Sequence, residues 1–266
     1  MSVARGALTW LGALVVDAVM ASGYALILAG RAVRWASAPG QWWKRRHMIL
    51  RQMYVAGIES LPVTLTVSIF IGFLLSLSAG VELAKYGQQA IVGQLVAVSV
   101  CREFGPFFTG LILAANVGSS MAAELGTMKV SEEIDALEVM SIDPARYLVM
   151  PRLIALAVMT PLLTVFADFT AILGGGVIAR TQLGVSWSKY YQNVLEGLTT
   201  KAIYTGLTKA FVFGLIIAVV GCAQGLRTEG GAVGVGRSTR TSVIVCYVLI
   251  LVFGYFGTAI FYGKAV

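Results

Sequence analysis

Long apolar runs without charged residues divide the chain into candidate membrane spans. Three runs are free of charge over the length that a spanning helix needs: Ser60–Val81, Phe104–Ala123 and Thr241–Gly263. Two further runs are less clean, since Leu153–Ala179 contains Asp168 and Ala210–Leu226 is shorter. A helix needs about 20 mostly apolar residues to cross the hydrocarbon core of a bilayer. The pattern therefore predicts five transmembrane helices.

The same runs decide the fold class. They are continuous, whereas the strands of a membrane barrel alternate apolar and polar residues over about ten positions. Because the bilayer core offers no water to the backbone, helices remain as the spanning structure. The sequence shows no linker, repeat or separate soluble domain. We therefore predict an all-α integral membrane protein, with an N-terminal region at residues 1–52 and a five-span domain at residues 53–266.

The N-terminal region contains one more apolar stretch, residues 6–30, which Asp17 interrupts and a basic, Trp-rich run follows. This stretch is either a sixth span or a helix lying partly in the membrane interface. Aromatic and basic side chains favour the headgroup layer, so we favour the interfacial helix. Its anchors would be Trp35, Trp42, Trp43 and Lys44–Arg46. Basic residues beside a span are ordinary flanking charge, and we expect no nucleic-acid partner.

The basic residues also indicate the orientation. The chain has 20 Lys and Arg against 13 Asp and Glu, a net charge of +7. With a cytoplasmic N-terminus, most of the basic residues lie inside, as the positive-inside rule requires. The segment 180–209 fits this rule poorly, because four basic residues, Lys209 among them, would lie outside. We predict a cytoplasmic N-terminus and an external C-terminus.

No set of residues supports chemistry in this chain. The phosphate-binding pattern GxxxxGK[ST] does not occur. His47 is the only histidine, and the cysteines (Cys101, Cys222 and Cys246) lack the spacing of a metal site. Nucleophilic catalysis would need an activating base beside the nucleophile. We expect no catalytic residue, no metal and no cofactor, which favours a transporter, channel or scaffold.

Small residues recur at four-residue spacing in the second span, at Gly110, Ala114, Gly118 and Ala122. Residues four apart share a helix face, and small ones let another helix approach closely. The stripe predicts either packing within the chain or the seam of a dimer.

A charged pair, Arg102 and Glu103, precedes this stripe and follows the apolar stretch Tyr86–Cys101. A charge deep in the bilayer costs about 2.5–3.5 kcal/mol on insertion scales. The pair either lies at the outer interface, or it lines a cavity that Tyr86–Cys101 reaches as a bent or re-entrant segment.

The loop between the second and third spans is strongly acidic, from Glu124 to Asp143. Ser131 can cap a helix, and Glu132 and Glu133 suit its positive end. Ile134 and Leu137 then share a face, while Asp143-Pro144 begins the next helix. We predict a short amphipathic helix at about residues 131–140, and we favour docking on a partner protein over an ordinary solvated loop.

At these positions the chain resembles the MlaE/YrbE permease family of ABC transporters associated with MCE proteins. The similar segments are REFGP (102–106), AAELGTMKV (122–130), EEIDALE (132–138), DPARY (143–147) and PR (151–152). One departure is Asn116, which stands where the family commonly has an arginine.

The resemblance implies a homodimer, with an MCE-domain protein on the outer side and a lipid cavity between the subunits. The cavity would include Arg102, Glu103 and Asn116. It also implies a coupling helix that docks on a separate cytoplasmic ABC ATPase, which would bind the ATP. Its contact residues would be Glu132, Glu133, Ile134, Asp135, Leu137 and Glu138. The function implied is transport of a phospholipid or similar lipid between membranes, and the alternative is an ABC importer permease for a small polar solute.

Overall fold

The computed structural model describes residues 2–37 and 39–263, with the side chains of residues 16, 19–37 and 45–263. This part of the chain is helical and contains no strand. The α-helices are α1 (Ser2–Ala36), α2 (Pro39–Met53), α3 (Leu61–Ala84), α4 (Val92–Ser99), α5 (Gly105–Leu113), α6 (Ser119–Val130), α7 (Glu133–Val139), α8 (Met150–Thr181), α9 (Trp187–Gly197), α10 (Thr200–Leu226) and α11 (Gly231–Tyr262). π-Helical turns at Tyr54–Ile58, Val100–Phe104, Ala114–Gly118 and Ala145–Val149, and a 3₁₀ turn at Gln89–Ile91, lie between them.

Within the described residues, five continuous helical runs are long and apolar enough to cross a membrane. They are Arg45–Ala84, Gln89–Val130, Ala145–Thr181, Thr200–Leu226 and Gly231–Tyr262. This confirms the prediction of an all-α integral membrane protein with five spans. The predicted boundary at residues 52 and 53 falls inside the first run, and the division into two regions stays a prediction.

The third span is the centre of the bundle. In its apolar segment 78% of the residues are buried, against 11% in the last span, so α8 is surrounded while α11 lies at the periphery. Glycines allow α8 to approach α3 closely: a Cβ added at Gly72 would lie 1.9 Å from the Ala171 carbonyl oxygen. α10 packs on the other side of α8 and contacts α6 and α11.

One expectation about span boundaries was wrong. The fourth span begins at Thr200, so Lys209 lies inside α10 instead of in an external loop. The charge of Lys209 ended the apolar run in the sequence, although Glu103 pairs with it within the fold. The segment Tyr86–Cys101 is helical from Gln89 onward and continuous with the second span, and its bent or re-entrant approach to a cavity stays a prediction.

α1 covers the whole of residues 6–30 as one helix. Leu28 and Ala32 are buried in the main core, whereas Leu26 and Ile27 are exposed. These contacts fit both a spanning and an interfacial helix, and the interfacial placement stays a prediction. The side chains of Asp17, Trp42, Trp43 and Lys44 lie outside the described ones.

Candidate functional site

The local backbone at Arg102 and Glu103 is a π-helical turn, Val100–Phe104. Such turns are rare and often mark functional sites. Here the N–H of Gly105 donates to the carbonyl of Val100, five residues back. Pro106 has no N–H, so the carbonyl of Arg102 lacks its normal donor four residues on. The helix therefore leaves a polar backbone atom for another element to satisfy.

Lys209 on α10 supplies that donor. Its Nζ donates to the Arg102 carbonyl at 3.2 Å, to Glu103 Oε2 at 2.7 Å and to Thr258 Oγ1 at 2.6 Å. A lysine ammonium has three N–H donors, so all of them are used. The Lys209 side chain is only 4% exposed. A buried charge is costly unless it is paired and hydrogen-bonded, and this one is both.

Glu103 joins three helices into one network, which we call the Glu103 cluster (Arg102, Glu103, Lys209 and Thr258). Thr258 Oγ1 on α11 donates to Glu103 Oε1 at 2.8 Å, and Arg102 Nε lies 3.5 Å from the same oxygen. Glu103 and Arg102 each remain 35% exposed. The carboxylate therefore has a protein side and an open side.

Further positive charge lies next to this cluster. The Arg102 guanidinium lies 4.9 Å from the centroid of the Tyr262 ring, and Lys201 Nζ lies 4.6 Å from the same centroid. Both cations use the negative face of one aromatic ring. Two cations pair with the Glu103 carboxylate, and a third, Lys201, shares the Tyr262 ring with Arg102, so this end of the bundle, where α10 begins and α11 ends, has an excess of positive charge.

A cavity of about 180 Å³ opens beside the cluster. Glu103 and Lys209 supply its polar wall. Its other lining residues are mainly aromatic or aliphatic: Phe104, Phe107, Phe213, Leu251, Gly254 and Tyr255. The arrangement suits a molecule with an anionic and an apolar part.

Asn116 does not join this cluster within one chain. It lies 14 residues after Arg102, roughly 20 Å along the helix axis, in the second π-helical turn of the span. Its side chain is exposed, and Nδ2 donates to Ser60 Oγ at 3.3 Å. Asn116, Ser120 and Glu124 follow each other at four-residue spacing and are all exposed; we call them the polar stripe.

The small-residue stripe faces the opposite way, into the chain itself. A Cβ added at Gly221 would lie 3.0 Å from the Gly118 carbonyl oxygen, and one at Gly225 would lie 3.0 Å from the Ala122 carbonyl oxygen. Ala114 and Ala122 are fully buried. Gly110 meets Phe213 of α10. Of the two readings of this stripe, these contacts match packing within the chain.

The acidic loop contains α7, but its details differ from the prediction. The helix starts one residue after Glu132, which has a left-handed backbone (φ 60°), and no side chain caps it. The expectation that Ser131 is the cap was wrong. Ile134 is 3% exposed and belongs to the main core, and Leu137 packs against that core. The apolar stripe therefore attaches α7 to its own chain, which corrects our assignment of the buried Ile134 to a partner contact, while the half-buried Leu137 stays a predicted contact.

The outer surface of α7 carries a different set of residues. Glu132, Glu133, Asp135 and Glu138 are exposed, and so are Val139 (86%) and Met140 (61%). Asp135 pairs with Lys129 within the chain at 2.5 Å. The surface open to a partner is consequently acidic, with an apolar end.

Asp143 ties this loop to the N-terminal helices. Its Oδ1 accepts a hydrogen bond from the backbone N–H of Ala145 at 2.9 Å, as expected for a cap. Its Oδ2 accepts from Trp35 Nε1 at 3.1 Å, and Arg31 lies 3.7 Å from the carboxylate. The Arg146 guanidinium stacks on the Trp35 ring at 4.7 Å. The end of α1 is thus fixed to the loop that follows α7.

Sequence reasoning missed Lys209 and Thr258 as site residues. A signal for Lys209 was present, because residues 202–208 before it are uncharged and an earlier span start would have placed this charge inside the membrane. A charge inside a span is a functional hypothesis by default. Pro106 was a second signal, since its missing N–H requires a donor from elsewhere. Thr258 gave no such signal, because the hydroxyl of a threonine in a span commonly donates to a backbone carbonyl of its own helix.

The comparisons with known proteins agree with this architecture. The family model described as Permease MlaE matches residues 49–260. A probable ABC transporter permease protein of Rickettsia conorii is 36% identical over 81% of this chain and 83% of its own. One of Synechocystis sp. is 37% identical over 79% and 80%. Protein TRIGALACTOSYLDIACYLGLYCEROL 1, chloroplastic, of Arabidopsis thaliana is 33% identical over 81% and 62%.

The Rickettsia and Synechocystis relatives are permease subunits rather than enzymes, and the ATPase of such a transporter is a separate subunit. The same holds for this chain, a multi-pass membrane protein. The match to the family model over residues 49–260 and the identity to the relatives lead to one conclusion: the chain belongs to the MlaE family of ABC transporter permeases.

Proposed function

We propose that this permease moves a phospholipid or a similar lipid between membranes. The observation that carries the proposal is the Glu103 cluster with its open cationic side, set beside an aromatic and aliphatic cavity inside a membrane span. An amphiphile needs both kinds of wall, whereas a small polar solute needs mainly hydrogen-bonding groups. The Arabidopsis relative supports a lipid cargo, since its name is that of a glycolipid.

The size of the cavity supports a homodimer. Its 180 Å³ in one chain is below the roughly 300–1,000 Å³ of typical ligand sites, and a lipid needs more room than this. A second copy would complete the walls. The polar stripe offers a face for that copy, because Asn116 and Ser120 at bilayer depth are unfavourable against hydrocarbon. Two copies related by a two-fold axis would place both stripes around a shared cavity.

The acidic outer surface of α7 is the proposed docking site of the ATPase. Ile134 and Leu137 attach α7 to its own bundle. A movement of the ATPase against the exposed side of α7 would therefore be transmitted directly to the spans. In this proposal the partner binds and hydrolyses ATP, and the permease carries no cofactor. The permease then lies in the inner membrane, with α7 and the N-terminus on the cytoplasmic side. An MCE-domain protein lies over the opposite end of the helix bundle.

The docking surface can be tested without disturbing the core. Glu133 and Val139 are exposed, so the double variant Glu133→Lys, Val139→Asp should fold normally. We expect co-purified ATPase to fall at least tenfold and lipid transfer between vesicles to fall with it. Glu229→Lys, an exposed charge reversal in the loop between α10 and α11, is the matched control and should change neither. Unchanged lipid transfer in the double variant would contradict the docking role.

The cargo is tested on the purified complex. Mass spectrometry of the complex should find bound lipid, and Arg102→Gln should lower its amount about tenfold, the effect of losing one charge-assisted contact. Transport of a polar solute that depends on a soluble binding protein, with no bound lipid, would instead support an importer.

A further inference from the structure

A second and larger cavity lies between α1, α10 and α11. Its volume is about 640 Å³, within the range of sites that hold small organic molecules. Its α1 wall contains Ala21, Ala25 and Ala29, which share one helix face at four-residue spacing. Their short side chains leave the space between α1 and the two spans unfilled. Leu26 of the same wall is 73% exposed, so the groove is open to the outside of the bundle.

The lining of this groove is polar at one end and apolar at the other. Gln224 and Arg227 near the end of α10 lie at the same end as Thr241 of the antiparallel α11. The far end is formed by Leu215, Leu249 and Phe253. From Leu215 to Arg227 is 12 residues, about 18 Å along the helix, close to the roughly 15 Å of one leaflet of the hydrocarbon core. The groove thus has the length and polarity order of a lipid in one leaflet.

Arg227 gives the polar end an unneutralised positive charge. It is exposed, and its guanidinium lies 5.9 Å from the centroid of the Tyr24 ring. Among the described residues, no carboxylate lies within 4.0 Å of it. Arginine binds phosphate oxygens with paired N–H donors. A phosphate at this position would satisfy the charge that the protein leaves open.

We propose that this groove binds an anionic phospholipid from the leaflet on the α7 side. Its phosphate pairs with Arg227, and one acyl chain lies between α10 and α11 as far as Phe253. The site is separate from the Glu103 cluster: Lys209 and Arg227 are 18 residues apart on α10, about 27 Å. The groove lies at the opposite end of the bundle. The proposal for this groove does not depend on lipid being the transported cargo.

Photolabelling in vesicles tests the proposal. The protein is reconstituted with a trace of phosphatidylglycerol or phosphatidylcholine that carries a diazirine in one acyl chain, and labelled peptides are mapped. Labelling of α10 and α11 at the groove is normalised to labelling of the exposed face of α3 around Phe70. We expect the normalised signal to be several-fold higher with phosphatidylglycerol. Arg227→Gln should reduce it about tenfold, and Arg51→Gln, an exposed charge loss in the last turn of α2, should leave it unchanged.

A second pair of variants tests the groove itself. Val219→Phe and Val245→Phe each fill it from a different wall while Arg227 is retained, and both should abolish the groove signal. Equal labelling by both lipids in the wild type, or normal labelling in Arg227→Gln, would overturn the proposal. A loss of dimer in Val219→Phe with no change in lipid labelling would also overturn it, because the groove would then be covered by a second copy.

Discussion

Lys209 shows how a single residue organises the functional end of the molecule. Its ammonium satisfies a carbonyl that Pro106 leaves without a donor, and it neutralises Glu103 at the same time. Removing one partner of a buried ion pair is more costly than the pair itself is stabilising, because the other charge is left buried. Lys209 therefore satisfies the backbone carbonyl of Arg102 and also holds the Glu103 side chain at the cavity.

This predicts an order of stability among three variants. Lys209→Met should lower the free energy of unfolding by about 2–4 kcal/mol, reduced from the fully buried case because Glu103 is partly exposed. Thr258→Val removes an uncharged hydroxyl that bonds to both Lys209 and Glu103 and should cost about 1.5 kcal/mol, the low end for hydrogen bonds to charged groups. The double variant Lys209→Met, Glu103→Gln should be more stable than Lys209→Met alone. Thermal unfolding in detergent measures all three, and equal losses for Lys209→Met and Thr258→Val would contradict the assignment.

At the scale of the elements, close helix contacts depend on glycine. The second span and α10 meet where a Cβ on Gly206 would lie 1.9 Å from the Cys101 carbonyl oxygen. That carbonyl lies in the π-helical turn Val100–Phe104, directly before Arg102. The backbone contact therefore sets the distance at which Lys209 reaches the cluster.

We expect Gly206→Ala to destabilise the protein by about 1–3 kcal/mol through overpacking. Gly236→Ala is the matched control, since nothing lies within 4 Å of its added Cβ in α11. Alanine is a better helix former than glycine, so this control should be neutral or stabilising by up to about 1 kcal/mol. Detergent unfolding curves of the two variants give the comparison, and equal stability would argue against the close approach.

A second element-scale contact joins the N-terminal helices to the loop after α7 through Trp35 and Asp143. Trp35→Phe keeps an aromatic ring for Arg146 but removes the N–H donor to Asp143. Hydrogen exchange of the backbone at residues 141–147 should become several-fold faster, because the loop loses a tether. Trp187→Phe, a tryptophan on α9 away from this contact, should leave that exchange unchanged. Unaltered exchange in Trp35→Phe would show that the indole bond does not hold the loop.

For the whole molecule, the exposed faces of the bundle are of two kinds. α3 and α11 expose large apolar side chains such as Phe70 and Leu251, as expected for contact with lipid. The polar stripe on the second span is exposed as well, but its side chains are polar. Because polar side chains are unfavourable against hydrocarbon, we propose that a second copy covers this stripe.

Cysteine cross-linking tests the dimer directly. The native cysteines, Cys101, Cys222 and Cys246, are buried, so an introduced exposed cysteine should react selectively. Ser120→Cys should give a cross-linked dimer in membranes with a short bis-maleimide, whereas Phe70→Cys on the apolar face of α3 should not. The opposite pattern would place the dimer contact on the apolar face.

The sequence by itself determined the number of spans, the acidic helix and the positions of the unusual residues. The spans are predictable because exposing charge and unpaired backbone to hydrocarbon is costly, and the order of apolar and charged residues along the chain shows where this cost is avoided. The partial charges of a helix end and the restricted geometry of proline made α7 and the Asp143 cap predictable in the same way, although the start of α7 and the Ser131 cap were misjudged.

Only the tertiary structure decided what each face contacts. In a membrane, apolar side chains suit both lipid and the protein interior, so hydropathy does not distinguish the face that packs from the face that is open. For this reason the partner of the small-residue stripe and the inward direction of Ile134 had to be read from the fold. The same is true of Lys209, which is stable inside the membrane because Glu103, Thr258 and a free carbonyl surround it.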